Sequence, residues 1–197
     1  VSLYKMIDIK ILALVAVFLI AQSNAIALDS SLTTNVTVTA TSIFSMEFYT
    51  DASVIYSTAV PFSNVDPTKS LVYPNGRKED DGKSDTGVVC ISNMGVPWYL
   101  KMQGVYSEGL FAGNAKYYYT QPWDRNANQQ TDGTLAGSVE WTPIPTESSN
   151  IYTSGSLDTV NTPFGTLSTF SFGVDPRGLS AERTYTVSVT YTMTTAP

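Results

Sequence analysis

The stretch Tyr185 to Pro197, YTVSVTYTMTTAP, alternates without a break. Tyr185, Val187, Val189, Tyr191 and Met193 form one set; Thr186, Ser188, Thr190, Thr192 and Thr194 form the other. Successive side chains of a strand point to opposite faces of a sheet, so the pattern predicts a strand with one apolar and one hydroxyl face. Nothing in it repeats at the 3.6-residue period of a helix.

Working outward, the same alternation recurs upstream. NVTVTATSIFSMEF predicts an opening strand from Val36, Val38 and Ala40, and ASVIYSTAVPFSNVDP a strand broken by Pro61 with a turn at Asp66-Pro67. KSLVYPNGRKEDDGKSDTGVVCISN predicts strands at Ser70–Tyr73 and Gly87–Ser92, joined by a charged loop with Pro-Asn-Gly and Asp-Gly turn signals. VPWYLKMQG places Trp98, Leu100 and Met102 on one face and Tyr99, Lys101 and Gln103 on the other. A tyrosine-rich strand follows near Tyr117, a short one near Val139–Trp141, and one carrying Leu167, Phe170 and Phe172. A turn at Asp175-Pro176-Arg177-Gly178 then leads into the last strand. Short strands with Gly/Pro punctuation and no helical stretch predict an all-β chain, a single antiparallel β-sandwich of Ig-like or Greek-key type.

Composition narrows the function classes. Charged residues make up only 14% of the 197, and the net charge is -6, which disfavours nucleic acid and anionic lipid as partners. The chain has no histidine and one cysteine. That removes Ser-His-Asp and Cys-His catalysis, imidazole metal ligands, an intrachain disulfide and a cysteine zinc site. Cys90 lies in the apolar run GVVCIS, the setting of a buried, inert thiol. The carboxylates Glu47, Glu108 and Glu140 are scattered, and no phosphate-cradling Gly-rich loop is present. The expectation is a protein that is not an enzyme.

The N-terminus has the order of a secretory signal peptide: Lys5 and Lys10, an apolar run from Ile11 to Ala21, then small residues in SNAIA. Cleavage after Ala25 or Ala27 is expected, giving a signal at 1–27 and a sandwich domain at 28–197, secreted to the cell surface or extracellular space. The run is short for a bilayer span, so no stable membrane span is expected in the mature chain.

Two strand segments share a further feature. Trp98-Tyr99-Leu100 and Tyr191-Thr192-Met193 each place an aromatic residue two positions before a large aliphatic one. This resembles the WxL domain of bacterial surface proteins, whose members carry one Trp-x-Leu motif mid-domain and a second near the C-terminus, after a Tyr and alternating Thr. Here the first motif is intact, and the second departs from the pattern at both its aromatic and its aliphatic position. Tyr185 and Pro197 stand where the family places its flanking residues. The resemblance implies a domain that attaches non-covalently to the cell wall through peptidoglycan, with Trp98, Leu100, Tyr191 and Met193 as ligand-binding residues. By their own chemistry these four are equally the residues of a sandwich core; both uses stay open.

Two other stretches carry candidate sites. In YYYTQPWD, Tyr118 must oppose Tyr117 and Tyr119 on a strand, so some aromatic surface is expected to face solvent near Trp123. Aromatic faces beside Asn, Gln and Asp suit sugar rings, whose C–H faces stack while their hydroxyls bond to amides. In DRNANQQTD, the residues Asp124, Asn126, Asn128 and Asp132 fall at spacings that echo a Ca2+-binding loop. Gln129 takes the place of its glycine, and no acidic residue closes it. The expected partners are cell-wall glycan or other surface proteins. Self-association is the alternative: a structural subunit of a fibre or layer, pairing its strand Thr34–Thr41 with a neighbour's sheet edge. A polysaccharide-binding module is the third reading.

Overall fold

A computed structural model describes residues 42–49, 59–63, 65–75, 77, 84–137, 140–180 and 183–197. These lie within one compact unit, Thr41–Pro197. The expected signal segment, the strand Thr34–Thr41 and residues 51–58 fall outside the described residues.

Eleven strands are present among the described residues, and no helix. They are β1 (Phe44–Phe48), β2 (Thr86–Ser92), β3 (Tyr99–Tyr106), β4 (Ala115–Tyr119), β5 (Trp123–Asp124), β6 (Gln129–Gln130), β7 (Thr134–Leu135), β8 (Thr142–Pro143), β9 (Ser149–Thr153), β10 (Thr166–Val174) and β11 (Val187–Thr194). One antiparallel sheet runs β1-β2-β10-β4-β8, with β5 on β10 and β6 on β5; the other runs β11-β3-β9-β7. The connections β2–β3, β3–β4, β9–β10 and β10–β11 each pass from one sheet to the other, so the chain builds an antiparallel β-sandwich. No helix among the described residues is long and apolar enough to cross a membrane.

Alternation decides which side chains fill the sandwich. On β3 the even residues Leu100 and Met102 are buried, while Tyr99, Lys101 and Gln103 are half-buried on the other face. On β4, Ala115, Tyr117 and Tyr119 point in and Tyr118 points out against Trp141, ring centroids 5.7 Å apart. β2 differs: its residues are buried on both faces, and Gly87 to Ile91 are apolar to match. The core joins Val88 and Cys90 of β2 to Leu100, Met102, Tyr117, Tyr119, Ile151, Tyr152, Phe170 and Tyr191. Burying each such large side chain contributes about 1.5–3 kcal/mol.

Two expected strands differ. Ser70–Tyr73 makes a single bridge, Val72 to Val174, because the stretch is closed in by Pro67 and Pro74. Of the expected strand near Val139–Trp141, Val139 lies outside the described residues, and the strand found there is Thr142–Pro143, two residues pairing with β4. The last strand begins at Val187, since Thr186 N donates to the Ser107 side chain, Oγ at 3.0 Å, and not to a main-chain carbonyl of β3.

Candidate functional site

The two motif segments, far apart in sequence, are neighbours in the sheet. β11 pairs with β3 so that Met193 lies opposite Leu100 and Tyr191 opposite Met102. All face the interior: Trp98 and Leu100 are fully buried, Tyr191 is buried and Met193 half-buried. Tyr191 stacks at a tilt on Phe170 of the other sheet, centroids 4.9 Å apart. Burial raises its phenol well above the ordinary value, and its hydroxyl has no hydrogen-bond partner. Tyr117 and Tyr119 also lie inside; the Tyr119 hydroxyl meets Ser168 Oγ at 3.0 Å, and burial raises both phenols.

Trp123 is the exception among the aromatic candidates. It is 41% exposed on the outer face of its sheet, while its neighbour Asp124 turns inward. Its position comes from a short hairpin: β5 pairs with β6, Trp123 opposite Gln130 and Asp124 opposite Gln129, while Trp123 also lies opposite Leu167 of β10. Cross-strand partners share a face, so the exposed amide of Gln130 stands beside the indole. Arg125, two residues on, reaches over the Tyr49 ring at 4.8 Å.

The Asp/Asn set that suggested a cation loop builds this hairpin. Asp124 Oδ1 accepts from Asn126 N (2.8 Å) and Ala127 N (3.2 Å), and Asn128 takes the left-handed conformation, φ 53°, that turns the chain. Asn126 donates from Nδ2 to Asn161 O and accepts from Phe164 N at 3.1 Å, fastening the hairpin to the loop before β10. Asp132 serves a different turn, accepting from Ser156 Oγ (2.5 Å) and Leu157 N (3.0 Å), which holds its carboxyl below the ordinary value. Among the described residues no group of three or more His, Cys, Asp or Glu could hold a metal ion.

Beneath this end lies a buried polar network that motif reading did not find. Asp158 is fully buried. Its Oδ1 accepts from Thr166 Oγ1 (2.7 Å), and its Oδ2 from Gly155 N (3.1 Å) and the Tyr152 hydroxyl. Burial raises the carboxyl, and the bonds from Tyr152 and Thr166 pull it partly back. Asn161 accepts from Ser92 N (2.6 Å) and donates to Cys90 O and Thr166 Oγ1. Trp98 Nε1 donates to Asp158 O at 3.0 Å. The motif indole is therefore a clamp: its ring fills the core and its N–H fixes the loop 155–165. The one signal in the sequence was SLDTVNTPFG itself, a run of hydroxyls and amides too polar for a strand. The same end exposes Met94, Val96, Leu157, Val160 and Phe164 on loops joined by Gly95 N to Thr159 O at 3.0 Å.

No protein-family model, curated protein or solved structure matches this chain.

Proposed function

We propose that the chain is an exported, non-enzymatic cell-surface protein, WxL-like, that attaches non-covalently to cell-wall peptidoglycan. The observation that carries this reading is the contrast between its tryptophans: Trp98 is sealed in the core, while Trp123 offers its ring to solvent beside the amide of Gln130. An exposed indole flanked by an amide suits a glycan, whose C–H face stacks on the ring while its hydroxyls and acetamido groups bond to the side chain. The rigid hairpin under Trp123, fastened by Asp124 and Asn126, lowers the ordering cost of such a contact. The WxL resemblance and the signal-like N-terminus supply the location. In this reading the motif residues shape the fold and the outer face makes the contact.

Co-sedimentation of the exported chain with insoluble peptidoglycan sacculi tests it. Saturable pelleting that depends on the sacculi, and is competed by soluble muropeptides, is the expected result. A chain that stays in the supernatant at every sacculus concentration would exclude peptidoglycan as the anchor.

A further inference from the structure

Both sheets end on the same side of the sandwich in unpaired edges. Among the described residues β1 pairs only with β2, and β11 only with β3. Phe48 of β1 meets Tyr191 of β11 edge-on, ring centroids 6.2 Å apart, so the two unpaired edges lie side by side. The opposite edges, β7 and β8, are two residues long; β11 is eight.

The register shows which main-chain groups of β11 face away from β3. Ser107 N donates to Thr186 O at 2.9 Å, and pairing continues unbroken from Val187 opposite Tyr106 to Thr194 opposite Tyr99. In an antiparallel pair, alternate residues exchange the hydrogen bonds. The main chain of Ser188, Thr190 and Thr192 therefore faces β3, and that of Val187, Val189, Tyr191 and Met193 faces outward. Gly104, opposite Val189, accordingly turns its N–H away from β11, to Pro145 O at 2.7 Å. Along the same edges the apolar layer is incompletely covered. Phe44 and Met46 of β1 and Val187, Val189 and Met193 of β11 are only half-buried, while Leu100, Met102 and Phe170 further in are fully buried. An unpaired row of N–H and C=O groups over a partly bare apolar face is a sandwich short of one strand.

We propose that residues 34–41 of a second copy add to β11 as that strand. The segment TNVTVTAT matches β11 in length and carries no charge. Val36, Val38 and Ala40 alternate with Asn35, Thr37, Thr39 and Thr41, the same apolar and hydroxyl division that β11 shows. Ile43 is already in line with β1, its O accepting from Asn93 N (3.1 Å) and its N donating to Asn93 Oδ1 (2.7 Å). Self-closure would require a reversal at Thr41-Ser42 and a crossing to the other sheet, which a neighbour's segment does not. Each copy then holds one donor and one acceptor, so copies add head-to-tail. This inference stands independently of wall attachment.

Sedimentation velocity on the exported chain tests it with two variants. Val36→Lys with Val38→Lys alters the donor. Val189→Pro removes an outward N–H without a β3 hydrogen bond and alters the acceptor. The wild type is expected to form a concentration-dependent ladder, each variant to lose every species above monomer, and their mixture to recover a dimer. A wild type that stays monomeric, a ladder that survives the donor substitutions, or folded variants that fail to pair on mixing would overturn the proposal. If Val189→Pro does not fold, a synthetic peptide of residues 33–41 takes its place. Binding to the donor-altered chain and collapse of the wild-type ladder are then expected, and absence of both overturns it.

Discussion

The Tyr152 hydroxyl sits between Asp158 Oδ2 and Thr131 Oγ1, whereas the Tyr191 hydroxyl is buried with no partner. The same substitution should therefore have different consequences at the two positions. Tyr152→Phe leaves a buried carboxylate oxygen and a threonine hydroxyl short of a partner, and should lower stability by about 1–3 kcal/mol. Tyr191→Phe removes a group that is desolvated without return, and should be neutral or stabilising by up to about 1 kcal/mol. Urea denaturation of the two variants beside the wild type decides the matter, and equal losses would mean that the network around Asp158 has been misassigned. Titration separates residues in the same way. Asp175 is held at about 2 by hydrogen bonds from Arg177, with Lys116 4.0 Å away, against an ordinary value of 3.8. A depressed carboxyl contributes stability that is fully present above its ordinary value and is lost as pH falls through the lowered one. Asp158, raised by burial, works in the opposite sense, contributing most in acid and fading as pH rises through its raised value. The wild type should thus exceed Asp175→Asn in urea midpoint at neutral pH, the gap closing as pH falls below the ordinary 3.8 toward 2. A gap that is constant with pH would remove the charge pairing as its cause.

At the scale of elements, the loop 155–165 and the β5–β6 hairpin form one unit, and Gly165 is its joint. Gly165 has φ +74°, donates to Asn161 O at 2.7 Å and accepts from Arg125 N at 3.1 Å. A Cβ there would lie 2.6 Å from Cys90 O, a main-chain atom that cannot swing aside. Gly165→Ala should cost at least about 1–3 kcal/mol from backbone strain alone, and amide exchange should rise in the hairpin as well as in the loop. Exchange confined to the loop would show that the two are not coupled. Alternation made strands legible where one face is buried and the other more exposed: β3 lies where its alternation placed it, and β11 starts two residues into its alternating stretch, while β4 and β10 were read from their aromatic content. The two Trp-x-Leu-like segments were legible as strands, but not as neighbours, because register between distant strands leaves no local mark. The Asp/Asn spacing of 124–132 could not be assigned from sequence, for a physical reason. Short side chains bearing oxygen serve a turn by accepting main-chain N–H groups and a cation by donating lone pairs, and the two uses call for similar spacing. The Asp158 network was illegible, since its partners come from residues 90, 98, 131, 152, 155 and 166, which only the fold assembles.

For the whole molecule, the sandwich divides labour between its inside and its outside. The candidate residues Trp98, Leu100, Tyr117, Tyr119 and Tyr191 are interior, and the surface is left with Trp123, the apolar loops at one end and the open β1/β11 side. A chain with this few charged residues, 14% of the total, presents hydroxyls, amides and aromatic rings, groups suited to glycans and to strand pairing. In the proposed function contact belongs to Trp123 and architecture to Trp98, and sacculus co-sedimentation of Trp123→Ala and Trp98→Phe, with urea stability measured on the same samples, separates the two. Trp123→Ala should keep its stability to within about 0.5 kcal/mol and lose pelleting. Trp98→Phe should give up about 2 kcal/mol through the cavity and the lost bond to Asp158 O, and still pellet while folded. A Trp123→Ala chain that pellets like the wild type, or a folded Trp98→Phe chain that does not pellet, would contradict this reading.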